Sequence, residues 1–103
     1  HLCGNLQHFI GAIRGNSGYI RNREMEFEPN QGIAKEQLLK EIGQTKSVVL
    51  ETLANLDASV LETDYPQQLR DMTFKTGAFL MHLAGHLNYH LGQVNYHRRI
   101  LAP

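Results

Sequence analysis

The sequence predicts an all-α protein built as a helical bundle, on three observations. Apolar residues recur at threes and fours in three separate stretches, with no strand-like alternation. Gly, Asn and Pro gather between those stretches, where a chain must turn. In the last stretch Gly85, Tyr89, Gly92 and Tyr96 lie opposite a leucine stripe, so that helix is expected to be covered on two sides. Three amphipathic helices with such an extra face imply a bundle with one more helix than these 103 residues contain.

Composition bounds the partners. With 42% hydrophobic and 19% charged residues, the chain reads as a single domain over residues 1–103. Ten basic and ten acidic side chains balance, which argues against nucleic acid or an anionic membrane and for a small-molecule substrate. No apolar run approaches the roughly 18 residues of a membrane span. The single cysteine, Cys3, permits no internal disulfide and agrees with a cytoplasmic setting; it reads as a small helix residue. The pattern begins already inside a helix, so residues preceding His1 are expected.

The first helix covers residues 1–14, with Leu2, Leu6, Phe9, Ile10 and Ile13 on one face and His1, Asn5 and His8 on a polar flank. His1 and Asn5 can look into a pocket from there, whereas His8 reads as exposed. Gly15, Asn16 and Gly18 end the helix. Residues 16–32 form a long connection whose mixed charges, RNREMEFE, read as a solvated loop with local ion pairs. Within it Arg23 is the choice for holding a substrate anion. Residues 33–56 form a long scaffold helix with Leu38, Leu39, Ile42, Val49, Leu53 and Leu56 recurring at helical spacing. Residues 57–72, with Asp64, Tyr65, Pro66 and Asp71, form a second connection.

The last helix is expected from Thr73 or Thr76, either able to cap it, to about Leu101. It carries the chemistry. His86 and His90 are about 40° and 6 Å apart on one face, a spacing at which two imidazoles share a metal ion. With Leu80, Ala84, Leu87, Leu91, Val94 and Leu101 taken as the buried stripe, both histidines sit roughly 80 to 120° to one side of its centre. His82 and His97 are about 12 and 16 Å along the axis from His90 and His86 respectively, too far to share the ion. Spacing alone also fits surface or hydrogen-bonded histidines, and any third ligand must come from elsewhere in the chain. Residues 74–103 contain no Asp or Glu, which disfavours the H-E-x-x-H zincins and the Glu-x-x-His di-iron bundles.

HLCGNL at 1–6, RNREMEF at 21–27 and HLNYHLGQ at 86–93, in this order over nearly the whole chain, resemble the DinB-like superfamily. These are damage-inducible, metal-binding four-helix bundles that include the bacillithiol S-transferases and proteins described as metal-dependent hydrolases. The resemblance implies an up-and-down four-helix bundle whose N-terminal helix would precede His1. It also implies a divalent metal, zinc or nickel, held by His1, His86 and His90, with His82 and His97 outside the ligand set. Activities differ within such a fold, so the resemblance does not fix the reaction.

Three neutral histidines leave a metal position open, as in catalytic zinc sites. A low-molecular-weight thiol bound there loses its proton and attacks an electrophile without a carboxylate base, which fits the missing acidic residues. The alternatives are a metal-dependent hydrolase and a non-catalytic, stress-related homodimer pairing through the Tyr89, Gly92 and Tyr96 face. No individual catalytic residue is assigned.

Overall fold

All three runs with helical spacing fold as helices. A computed structural model describes residues 1–29 and 32–103. Asn30 and Gln31, part of the expected 16–32 connection, lie outside the described residues. Among the described residues four helices occur: α1 over residues 2–15, α2 at Arg23–Glu26, α3 at Lys35–Ala54 and α4 at Thr76–Leu101, with a 3-10 turn at Ala58–Glu62. Among the described residues there is no strand, only isolated bridges joining Asp64 to Lys75 and Leu69 to Met72. None of these helices is long and apolar enough to cross a membrane. The contacts fall into two units, His1–Leu56 and Asp57–Pro103.

In the first unit, α1 changes its winding along its length. Leu2–Leu6 is α-helical, Gln7–Ala12 is π-helical and Ile13–Gly15 returns to α. Such wide turns concentrate at functional sites. The helix stops where Asn16 enters the left-handed region at φ 50°, a conformation asparagine tolerates. The buried positions of α1 are Gly4, Asn5, Ile10 and Gly11; of the expected apolar face Ile10 is buried and Leu2, Leu6, Phe9 and Ile13 are half-buried, and His8 is half-buried against Phe9.

Glycines let α1 approach α3 closely. A Cβ on Gly11 would stand 2.7 Å from Val48 Cγ1, and one on Gly15 2.5 Å from Thr52 Oγ1. Beside this contact the Gln7 amide donates to Thr45 Oγ1 at 3.2 Å, and that hydroxyl donates to the Glu41 carbonyl at 2.8 Å, so buried Thr45 is satisfied on both sides. The covered side of α3 therefore runs through Thr45, Val48, Val49 and Thr52, with Leu56 half-buried just past its end. Leu38, Leu39, Ile42 and Leu53, expected to be buried, are exposed.

In the second unit, Asp57 caps the 3-10 turn by accepting from the Ser59 N–H at 2.8 Å. The chain then doubles back. Tyr65 N–H donates to the Phe74 carbonyl at 2.7 Å, and Leu69 and Met72 exchange both backbone bonds around Arg70 and Asp71, each at positive φ. That two-residue reversal has the backbone of a type I′ turn without the usual glycine. Neither Thr73 nor Thr76 caps α4. Lys75 holds the N-cap position, and Thr76, fully buried, donates both its N–H (2.8 Å) and its hydroxyl (3.0 Å) to the Thr63 carbonyl. Tyr65 packs on Phe79 at 4.3 Å between ring centroids.

The covered face of α4 differs from the leucine stripe. Thr76, Phe79 and Leu83 are buried and His86 and His90 half-buried. These five positions, spaced 3, 4, 3 and 4, lie within about 80° of arc. The histidines thus continue the core line instead of standing beside it. Ala84, Leu91, Val94 and Leu101 are exposed, and every residue after His90 is exposed. Gly85 and Gly92, expected to mark a close helix contact, have no atom within 4 Å of where a Cβ would stand.

Candidate metal centre

The histidine pair on α4 is assembled by helical geometry alone. His86 Nε2 and His90 Nε2 stand 3.1 Å apart, with the rings edge-to-face at 4.5 Å. Two nitrogens each about 2.0–2.1 Å from a tetrahedral zinc are separated by about 3.3 Å, so the pair has the spacing of a shared ion. The far side of His90 is organised too. Its Nδ1 lies 2.7 Å from Gln93 Oε1, and the Gln93 amide nitrogen donates to the Tyr89 hydroxyl at 3.3 Å. With the amide so turned, a carbonyl oxygen faces Nδ1, an arrangement that favours the Nδ1–H tautomer. The lone pair of His90 is then on Nε2, the atom facing His86. Metal-ligating histidines are commonly oriented by such an acceptor.

His1, in the first unit, has the same arrangement with a stronger partner. Its Nδ1 is 2.9 Å from Glu26 Oε1. The carboxylate also accepts from Arg21, whose Nε reaches Oε2 at 2.7 Å and whose Nη2 reaches Oε1 at 2.8 Å. This is a two-pronged guanidinium–carboxylate pair with both side chains about one-tenth exposed (11% and 10%). It raises the already high pKa of Arg21, chiefly through the hydrogen bonds to Glu26. The His1 ring lies 4.8 Å from Phe27, and Arg21 covers the Phe9 ring at 5.7 Å. One turn along α1 from His1, Asn5 is buried and its Oδ1 has no hydrogen-bond partner among the described residues, an acceptor ready for a water or a ligand.

The remaining candidates fall outside these groups. His82 stacks on Phe79 at 5.9 Å, and His97 is exposed on the last turns of α4. Arg23, the expected anion holder, is exposed beside Phe27, whereas Arg21 makes the buried pair. The RNREMEF run is not simply a solvated loop. Asn22 caps a helical turn by accepting from Met25 N–H, and the turn delivers Glu26 to His1. Glu26 escaped notice because its partner is 25 residues away and the run carries charges of both signs. Cys3 is half-buried and unbridged.

No family model, curated protein or solved structure matches the chain. The DinB-like resemblance accordingly rests on its three motifs. Taken unit by unit, the side chains are of a kind that suits a divalent transition metal. The first offers an imidazole with a carboxylate acceptor on His1 Nδ1, and the second an imidazole pair with an amide acceptor on His90 Nδ1 and no carboxylate on α4.

Proposed function

We propose that His1, His86 and His90 hold one divalent ion, zinc or nickel, and that the chain is a metal-dependent enzyme of the DinB-like kind. Its reaction joins a low-molecular-weight thiol to an electrophilic small molecule. The observation that carries this reading is the convergence of His86 Nε2 and His90 Nε2 at 3.1 Å with His90 Nδ1 engaged by Gln93. A bound ion supplies Lewis acidity, lowering the pKa of a thiol or water that it meets. The protein's own groups do the rest. Three neutral imidazoles leave the ion its full charge and a position for substrate. Thiol transfer is preferred over hydrolysis because residues 74–103 contain no carboxylate that would accept a proton from water. A cytoplasmic setting belongs to the same reading, as does a homodimer through the exposed Tyr89 and Tyr96.

Elemental analysis of the purified protein and of His90→Ala tests the site. Stoichiometric zinc or nickel is expected in the first and none in the second, and equal content in both sinks the assignment. The reaction is tested by offering bacillithiol, glutathione or cysteine with a panel of electrophiles to the metal-loaded protein and looking for the thioether. Metal-dependent cleavage of an ester or amide without thioether would make it a hydrolase. Metal without either turnover would leave the non-catalytic bundle. Light scattering decides the dimer.

A further inference from the structure

The motif that the proposed function leaves unused is RNREMEF, and it closes on His1. We infer that residues 21–27 are a positioning strap. In it Glu26, gripped by Arg21, fixes the His1 ring as the Nδ1–H tautomer and so presents Nε2 as the donor atom. For the metal, the inference rests on the reading above; for the tautomer it does not.

Four observations carry it. First, an ionised carboxylate only accepts hydrogen bonds, so a ring nitrogen 2.9 Å from Glu26 Oε1 must donate, and that nitrogen is Nδ1. In a neutral imidazole the lone pair then falls on Nε2. Second, Glu26 cannot swing away freely, because Arg21 holds both its oxygens at 2.7 and 2.8 Å in a largely buried pair. Third, α1 leaves room for the carboxylate. A Cβ on Gly4 would collide with the Glu26 carboxylate, so the absence of a side chain there lets Glu26 lie directly against the helix that carries His1. Fourth, the strap is built from both ends. Asn22 caps the turn that aims Glu26, and Phe27, the next residue, packs its ring 4.8 Å from His1. The imidazole is held by a hydrogen bond on one atom and an aromatic ring beside it, which leaves it little freedom to flip.

Glu26 is thus a positioning residue, acting through His1. Acceptors of this kind on metal-ligating histidines typically account for roughly 10- to 100-fold in metal affinity. A carboxylate raises ligand basicity more than an amide does, so His1 is the better-supported donor of the two that have an identified acceptor.

The test uses protein labelled with nitrogen-15 in its histidines and freed of metal, in which long-range proton–nitrogen NMR reads the tautomer of each ring. His1 is expected as Nδ1–H in the wild type and in Glu26→Gln, which keeps an acceptor oxygen. In Glu26→Ala the Nδ1–H form should give way to a mixture. Gly4→Ala should give the same mixture with Glu26 still present, because it displaces the carboxylate from the opposite side. This variant guards against Glu26→Ala failing to fold with Arg21 left unpaired. Zinc affinity by chelator competition should fall roughly 10- to 100-fold in Glu26→Ala and Gly4→Ala. A His1 tautomer unchanged in both variants overturns the inference. A changed tautomer with unaltered zinc affinity upholds the strap and removes His1 from the metal site, so the two failures are told apart.

Discussion

Placing a methyl group on Gly11 tests the contact that holds α1, and with it His1, against α3. In Gly11→Ala the new Cβ would meet Val48 Cγ1 at 2.7 Å and Ser17 Oγ at 3.2 Å, the first far inside ordinary carbon contact. Val48 cannot easily turn aside, since a β-branched side chain in a helix has essentially one χ1 well. The helices must part or the valine must strain, at about 1–3 kcal/mol. Replacing a helical glycine by alanine returns at most about 1 kcal/mol of propensity. A 2.7 Å approach to a stiff side chain belongs at the upper end of the first range, so overpacking wins, by about 1–2 kcal/mol. With a urea m-value of about 1–3 kcal/mol/M, the unfolding midpoint should drop by roughly 0.3–2 M at unchanged m. Val48→Ala removes the obstructing methyls, so in the double variant the two losses should sum to less than their separate values by about 1 kcal/mol or more. A Gly11→Ala protein as stable as the wild type, or additive losses in the double variant, would refute the close approach.

Other outcomes follow from the same geometry. Gln93→Leu removes the acceptor from His90 Nδ1 and should weaken zinc binding about 10-fold, the low end of the usual range because water can reach this exposed site, whereas Gln93→Glu should bind at least as tightly as the wild type; chelator competition ranks the three. Burial, followed by the nearby Glu26 charge, raises the Tyr19 pKa above 10.0, so Tyr19 should ionise above pH 10.0 in an ultraviolet titration, and earlier in Glu26→Gln than in the wild type. In the window between the unfolded and folded values the unfolded state binds fewer protons, so this group's contribution to stability is full below pH 10 and declines as pH rises through the raised pKa. Gly92→Ala, in open space on α4, should gain up to about 1 kcal/mol in a thermal melt; a loss would report a second copy docked on that face.

The three long helices and, approximately, their ends were legible in the sequence, because the three-and-four spacing and the Gly15–Asn16 stop are local signals; the short helix at Arg23–Glu26 was not. Which face is covered was not. On α4 the leucines outnumber the aromatics, which draws a helical wheel toward Leu91, Val94 and Leu101. The buried line instead begins at Thr76, anchored on the Thr63 carbonyl, and runs through Phe79 and Leu83 into His86 and His90. On α3 the contact is made by Val48 and Thr52 opposite Gly11 and Gly15 and by Thr45 opposite Gln7, a choice set by how closely backbones approach. The histidine pair was readable because i, i+4 is a property of one helix. Glu26 was not, because Arg21 to Glu26 is a five-residue interval that matches no helical face pair, and its meeting with His1 exists only once the chain has turned back.

The π-helical stretch at Gln7–Ala12 sets an angular offset between two jobs done by one helix. Its upstream part carries His1 and Asn5, while its downstream part keys Gly11 and Gly15 into Val48 and Thr52. Each residue of an α-helix advances the phase by about 100°, and a π turn takes up about one residue more than an α turn, so rewinding the same residues as plain α-helix would rotate His1 by about that angle relative to its anchor, whereas removing one residue as the stretch tightens would leave the phase almost unchanged. In the first case helicity would survive and the ring would face elsewhere. The wide turn between His1 and Gly11 is in this sense a phase setting, and a chain that kept each of these residues but lost the π winding would keep the scaffold and forfeit the aim of the histidine.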